Sequence, residues 1–317
     1  MTTVRLNRSR RLSGIIDAIG NTPLLRLERI GQQCPGVELY LKLEFANPGG
    51  SVKDRPALRM VQQALQSGQL SADKTLIDAT SGNTGVAYSL IGAAMGLKIA
   101  LVMPSNVTKA RKDIAKAFGT ELIFSSPMEG SDGAIRKVRQ LVSENPDKYF
   151  YPDQYSNPNN PLAHYYGTGV EILDALGDRI THFVAGLGTS GTAMGTIRRL
   201  REHPRRIFCA AAEPAEELHG LEGLKHMASS IVPEIYDPKL PDEIVPITTE
   251  EGWQMSDELA AKEGLHCGHS TGGNVSAALK LAQRLSKEGK TGCVVTIACD
   301  RGDRYFAPMK WEKRYVW

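Results

Sequence analysis

Lys53 lies in Asn47-Pro48-Gly49-Gly50-Ser51-Val52-Lys53-Asp54-Arg55, a stretch where a cation has reason not to sit. The Pro-Gly-Gly turn stops one element. Beyond it Ala57, Leu58, Met60, Val61 and Leu65 recur at helical spacing. Ser51 reads as the N-cap, which puts Lys53 at the second helical position. The positive end of the helix dipole disfavours an ammonium there. A lysine whose working form is neutral, as in a Schiff base or a proton relay, would tolerate that place. An exposed lysine beside a turn fits the same residues.

Four further polar or glycine-rich loops could carry chemistry. Thr80-Ser81-Gly82-Asn83-Thr84-Gly85 offers hydroxyls, an amide and helix-opening N–H groups, which suit a carboxylate or simply cap a helix. Gly186-Leu187-Gly188-Thr189-Ser190-Gly191-Thr192 matches G-x-G-x-x-G, and Glu213 stands where a ribose-binding acid would. A nicotinamide-dinucleotide oxidoreductase is therefore the competing reading. The hydroxyls of this loop suit instead a terminal phosphate monoester, and several α/β units precede it. Gly268-His269-Ser270-Thr271-Gly272-Gly273 opens another helix, with Ser270 or Thr271 as ligand or cap, and Gln154 lies in a turn. Among His164, His182, His219, His226, His266 and His269 no HxH or HExxH spacing appears, so no metal is expected. Gly188-Thr189-Ser190-Gly191 lacks the G-x-S-x-G spacing of a hydrolase elbow.

The elements that must hold these loops alternate. Strands are expected at Leu24–Leu27, Val37–Leu43, Thr75–Ala79, Lys98–Met103, Leu122–Phe124, His182–Ala185, Ile207–Ala212 and Cys293–Ala298. Helices are expected from Lys53 onward and near 83–95, 107–118, 130–143, 161–175, 192–202, 250–263 and 272–287, with 215–245 irregular. This alternation predicts an α/β fold with mostly parallel sheets flanked by helices, ligands binding beyond the carboxyl ends of the strands. A length of 317 residues suggests two cores. A formal charge of +3 argues for neither nucleic acid nor membrane as partner. The five scattered cysteines read as reduced thiols of a cytoplasmic protein. The N-terminus lacks the apolar core of a signal peptide, and the apolar runs are strand-sized.

A lysine at a helix start, a hydroxyl-rich phosphate loop and an anion loop together suggest pyridoxal phosphate. In their order, Gly20-Asn21-Thr22-Pro23, the Lys53 stretch, Thr80–Gly85, Gly186–Thr192 and Gly268–Gly273 resemble the cysteine synthase and cystathionine β-synthase family, fold-type II pyridoxal phosphate enzymes. The resemblance runs from about residue 14 to residue 306. It implies two α/β domains with the cofactor in the cleft between them: a larger one from 1–45 and 155–317, and a smaller mobile one from 46–154. It implies that Lys53 forms the imine and moves the Cα proton, and that Asn83 bonds the cofactor's 3-hydroxyl. Gly188, Thr189, Ser190, Gly191 and Thr192 would bind its phosphate, and Ser270 its ring nitrogen. Thr80, Ser81, Thr84 and Gln154 would hold the substrate carboxylate.

A serine at the ring nitrogen supports a weaker electron sink than an aspartate would. Loss of a β-substituent is then easier than transamination. The implied reaction removes acetate or phosphate from an activated serine to give an α-aminoacrylate, to which sulfide or a thiocarboxylated carrier protein adds, forming L-cysteine. Within the family, cystathionine β-synthase or a diaminopropionate-forming enzyme would share every cofactor residue and differ only in the second substrate, and serine or threonine dehydratase is a further alternative. The stretch from Gly220 to Asp237 is similar to O-phosphoserine sulfhydrylases, with Lys225 where an arginine would bind the substrate phosphate. Arg301 stands where the family has a small residue, and the tail to Trp317 is aromatic and basic. A homodimer is the family's usual assembly. Neither an appended regulatory module nor an N-terminal haem segment is expected.

Overall fold

A computed structural model describes residues 12–305; the basic stretch before Leu12 and the aromatic tail after Tyr305 lie outside the described residues. The chain opens with β1 (Leu24–Arg26), the one-turn α1 (Glu28–Gly31) and β2 (Val37–Leu43). Next come α2 (Asp54–Gln66), β3 (Thr75–Ala79), α3 (Asn83–Met95), β4 (Lys98–Pro104), α4 (Lys109–Ala117), β5 (Glu121–Ser125), α5 (Gly130–Glu144) and the short β6 (Tyr149–Phe150). The remainder holds α6 (Asn159–Ala163), α7 (Gly169–Leu176), β7 (His182–Gly186), α8 (Gly191–Leu200), β8 (Phe208–Pro214), β9 (Glu243–Ile247), α9 (Thr249–Glu258), α10 (His269–Lys287) and β10 (Gly292–Ala298).

These strands form two sheets. One has six strands in the order β1-β2-β10-β7-β8-β9, and the other has four in the order β5-β4-β3-β6. Every pairing is parallel except β1 with β2. Period-two alternation buries both faces of each sheet. In the large sheet Val184, Ala210, Ala212 and Val294 turn toward α9 and α10. Their neighbours Phe183, Ala185, Cys209, Ala211 and Val295 pack with Ile172, Ile197 and Leu200 of α7 and α8. In the small sheet Leu76, Leu101 and Met103 meet α2 and α3, while Ile77, Ala100 and Val102 meet Ala134 and Val138 of α5. The alternating strand–helix order thus yields the expected α/β architecture.

Three local expectations change. α2 begins at Asp54 with Lys53 as its N-cap, not at Ser51. Ser51 is bridged to Asp300, and the Val52 N–H donates to the Cys299 carbonyl at 2.8 Å, so the residues just after β10 tie this backbone into a turn and the helix starts beyond it. The irregular stretch 215–245 ends in an edge strand, β9, whose Pro246 is tolerable because an edge needs fewer N–H donors. The helix expected over 161–175 contains a π-helical turn at His164–Thr168, a local widening common at functional sites.

Candidate active site

The loops at the carboxyl ends of β3, β7 and β10 converge on a cavity of about 760 Å³ between the two sheets. Lys53, Asn83, Gly188 and Thr189 line both this cavity and a narrow extension of it. Thr80, Ser81, Thr84, Gln154 and Lys225 line the main cavity, whereas Ser190, Thr192 and Ser270 line the extension. Gly191 lines neither, because it faces Asn160: a Cβ there would stand 1.9 Å from Asn160 Oδ1. The structure therefore brings together every residue anticipated from the sequence, with Gly191 set behind the wall.

The lysine turn is anchored from below. Asn47 Nδ2 donates to the Glu44 side chain and to the Ser51 carbonyl, and its Oδ1 accepts the Gly20 N–H at 2.8 Å. The buried Asp54 accepts the Gly49 N–H, which bends the Pro-Gly-Gly turn back on the helix start; burial pushes the Asp54 carboxyl up to about 7. Two separate sequence motifs, Gly20–Pro23 and the Lys53 stretch, are thus one structural unit.

The loop after β7 is built for an anion. Ser190 adopts a left-handed conformation with φ of 68°, a strain that non-glycine residues bear mainly at functional sites. Its Oγ is buried and has no hydrogen-bond partner among the described residues. The N–H groups opening the ten-residue α8 lie beside it. A Cβ on Gly188 would stand 2.3 Å from the Gly223 carbonyl, so that position requires glycine. An unpartnered buried hydroxyl, a helix N-terminus and a nearby lysine fit a phosphate-bearing aldehyde cofactor such as pyridoxal phosphate.

The Thr80–Gly85 loop after β3 is joined to the turn before α6 by Thr84 Oγ1, which donates to Gln154 Oε1 at 2.9 Å. Asn83 Nδ2 donates to Asp300 Oδ2 at 2.6 Å, leaving its second N–H for a ring hydroxyl oxygen. Arg304 donates to Asn83 Oδ1 and to the Gly49 carbonyl. Lys225 is half-buried, with Nζ 5.2 Å from the centre of the Tyr155 ring; burial lowers its pKa and Asp132 opposes that shift. The cavity lining carries Lys53, Arg111, Lys225, Arg301 and Arg304 against Asp132, Glu222 and Asp303, an excess of positive charge suited to anionic ligands.

Some contributors were not anticipated. Asn160 Nδ2 donates to Thr189 Oγ1 at 3.0 Å and to the Gln154 carbonyl at 2.7 Å, tying the loop after β7 to the turn before α6. His164 bridges Thr168 at 2.9 Å and Thr192 at 3.3 Å, and burial holds its pKa down at about 3, so the ring is neutral. No spacing in the sequence points to either residue. Asp300 and Tyr305 had a signal: they follow β10, where the parallel-sheet rule places ligand loops. The Tyr305 hydroxyl donates to Asp300 Oδ2 at 2.5 Å, beside Asn83. Arg301 is exposed and paired with Asp303 at the cavity edge. Glu213, the candidate ribose acid, accepts the Met227 N–H at 2.7 Å and so serves a structural tie.

Comparison with known proteins agrees with this geometry. Residues 15–300 match the family described as pyridoxal-phosphate dependent enzyme. A cysteine synthase of Aquifex aeolicus (strain VF5) is 48% identical over 293 residues, 92% of this chain and 90% of that protein. Cysteine synthase B of Escherichia coli (strain K12) is 40% identical, over 93% of this chain and 95% of that protein. The crystal structure of a cysteine synthase from Entamoeba histolytica superposes with a TM-score of 0.91 at 36% identity, covering 97% of this chain and 93% of that one. The chain thus belongs to the cysteine synthase family of pyridoxal-phosphate dependent enzymes.

Proposed function

We propose that this protein is a cysteine synthase. It replaces the β-substituent of O-acetyl-L-serine or O-phospho-L-serine with sulfur, from sulfide or a thiocarboxylated carrier protein, to give L-cysteine. The observation that carries the reading is the meeting of Lys53, the Thr80–Gly85 loop and the Gly186–Thr192 loop around one cavity. Pyridoxal phosphate, when bound, supplies an electron sink for the substrate Cα. Gly188, Thr189, Ser190, Gly191 and Thr192 would hold its phosphate, Asn83 its ring hydroxyl and Ser270 its ring nitrogen. Thr80, Ser81, Thr84 and Gln154 fix the substrate carboxylate. Lys53 Nζ takes the Cα proton as the β-substituent leaves with its bonding electrons. After sulfur bonds to Cβ, the same Nζ returns the proton to Cα. Ser270 contributes a neutral hydroxyl, which favours loss of a β-substituent over transamination.

The split into two sheets supports residues 46–154 as a smaller unit that moves against 1–45 and 155–317 during turnover. Cytoplasmic location and a homodimer complete the proposal; among the described residues no helix is long and apolar enough to cross a membrane. The test is the purified protein itself. It should be yellow and form cysteine from an activated serine and sulfide, and Lys53→Ala should lose both the visible band and the activity. A colourless protein that binds a nicotinamide dinucleotide would overturn the reading.

Lys225 supports acceptance of the phosphorylated substrate. Its ammonium lies over the Tyr155 ring and faces the cavity as a point charge suited to phosphate. Lys225→Ala should lower kcat/KM for O-phosphoserine and spare O-acetylserine. Equal losses on both substrates would remove this assignment.

A further inference from the structure

Two sets of ion pairs join the α2–β6 segment to the elements of the six-stranded sheet, and they differ in kind. Near the lysine turn, Arg55 of α2 is paired with Glu44 and Glu171; the three side chains are 5%, 0% and 16% exposed. At the cavity mouth Arg111 of α4 is paired with Glu222, 111 residues away, and these are 28% and 49% exposed. Breaking the first set would strand desolvated charges, so it acts as a permanent tie. The second is partly solvated, screened by salt and weak enough to open and close.

Both partners at the mouth are coupled to binding loops. α4 packs on α3, whose first residue is Asn83 of the substrate loop. Glu222 directly precedes Gly223, whose carbonyl lies against Gly188 of the phosphate loop. Both side chains line the cavity. We propose that Arg111 and Glu222 form a latch that holds the cleft closed over the bound amino acid, with the Arg55 cluster as the fixed end of the same motion. Arg111 and Glu222 are positioning residues in this scheme. The inference rests on the reading of the cavity as an amino-acid site.

The test uses the holoenzyme and L-serine, an unactivated ligand whose binding is followed through the visible absorption band. Arg111→Gln and Glu222→Gln should each raise the L-serine Kd about two- to five-fold, the size expected of one partly exposed ion pair. The double variant should be no worse than either single one. The charge swap Arg111→Glu with Glu222→Arg should restore binding. Raising NaCl from about 0.05 to about 0.5 M should weaken binding to the wild type and leave Arg111→Gln unaffected by comparison. L-serine should slow amide exchange over residues 105–117 in the wild type but not in Arg111→Gln. Unchanged Kd values in both single variants, or additive losses without rescue by the swap, overturn the latch. The two readings fail separately. A wild type that makes cysteine while the variants bind normally removes only the latch. One that binds L-serine with the predicted couplings but makes no cysteine removes only the proposed activity.

Discussion

The guanidinium of Arg55 docks on the carboxylate of Glu44 as a two-pronged pair: Nε donates to one oxygen at 2.6 Å and Nη2 to the other at 2.9 Å. Its remaining N–H groups reach Glu171 at 2.6 and 2.7 Å, and the ammonium of the buried Lys42 completes the charge balance at 2.6 Å. Because Arg55 lies two residues beyond Lys53, this cluster sets the position of the helix start that carries the lysine.

Removing the guanidinium should be costly. Arg55→Ala leaves Glu44 and Glu171 short of a counter-charge in the interior, and a loss of about 3–5 kcal/mol is expected. Arg55→Lys keeps the charge and loses the fork, so it should fall between alanine and wild type. Denaturant unfolding checks the order; a fully stable alanine variant would show the cluster to be dispensable.

The Gly186–Thr192 loop predicts a steric test. In Gly191→Ala the new Cβ meets Asn160 Oδ1, whose amide supports both Thr189 and Gln154. Overpacking of this kind costs about 1–3 kcal/mol, or roughly 5- to 150-fold in cofactor affinity if the strain falls on the bound state. Gly31→Ala meets nothing within 4 Å and is the control. Titration of apoprotein with pyridoxal phosphate should separate the two variants.

His164 carries a pH prediction. Its pKa is about 3 in the folded protein against 6.5 in an unperturbed chain. Below pH 6.5 the unfolded state takes up a proton that the folded state refuses, so the stability contributed by neutral His164 is complete above 6.5 and falls toward pH 3. His164→Gln lacks this dependence. The stability gap between wild type and variant should shrink by about 2 kcal/mol from pH 8 to pH 5. Burial pushes Asp78 up to about 7, and Asp54 likewise, which acts in the opposite sense in both proteins. The difference between the two profiles is therefore the quantity to measure, and a gap independent of pH would contradict the assignment.

Asp300 accepts hydrogen bonds from Asn83 and Tyr305 at the same oxygen. Asp300→Asn risks opposing donors in a buried site and should cost about 1–3 kcal/mol in stability, with weaker cofactor binding. Tyr305→Phe removes one hydrogen bond and should cost about 1 kcal/mol. Arg301→Ala, which loses an exposed pair with Asp303, should stay within about 0.5 kcal/mol of wild type. Thermal unfolding and cofactor titration on the three variants check this ranking.

What the sequence by itself determined is local in origin. Glycines at 188 and 191, hydroxyls at 189, 190 and 192, and a lysine after a Pro-Gly-Gly turn sit close together in the chain, so type and spacing reveal them, although the close approach of Gly223 and Asn160 that requires the two glycines is tertiary. The alternation of apolar strands and amphipathic helices likewise announces parallel sheets and places the binding loops at strand ends. Even here the start of α2 shifted, because Ser51 and Val52 are tied to Cys299 and Asp300, just after β10. The tertiary structure alone decided which polar residues meet. Arg55 finds Glu171 across 116 positions, Asn83 finds Asp300 across 217 and Arg111 finds Glu222 across 111. A charge or an amide in a sequence specifies what it can bond but not with whom. Packing of the two sheets selects the partner, and burial then determines whether the pair is a permanent tie or one that can open.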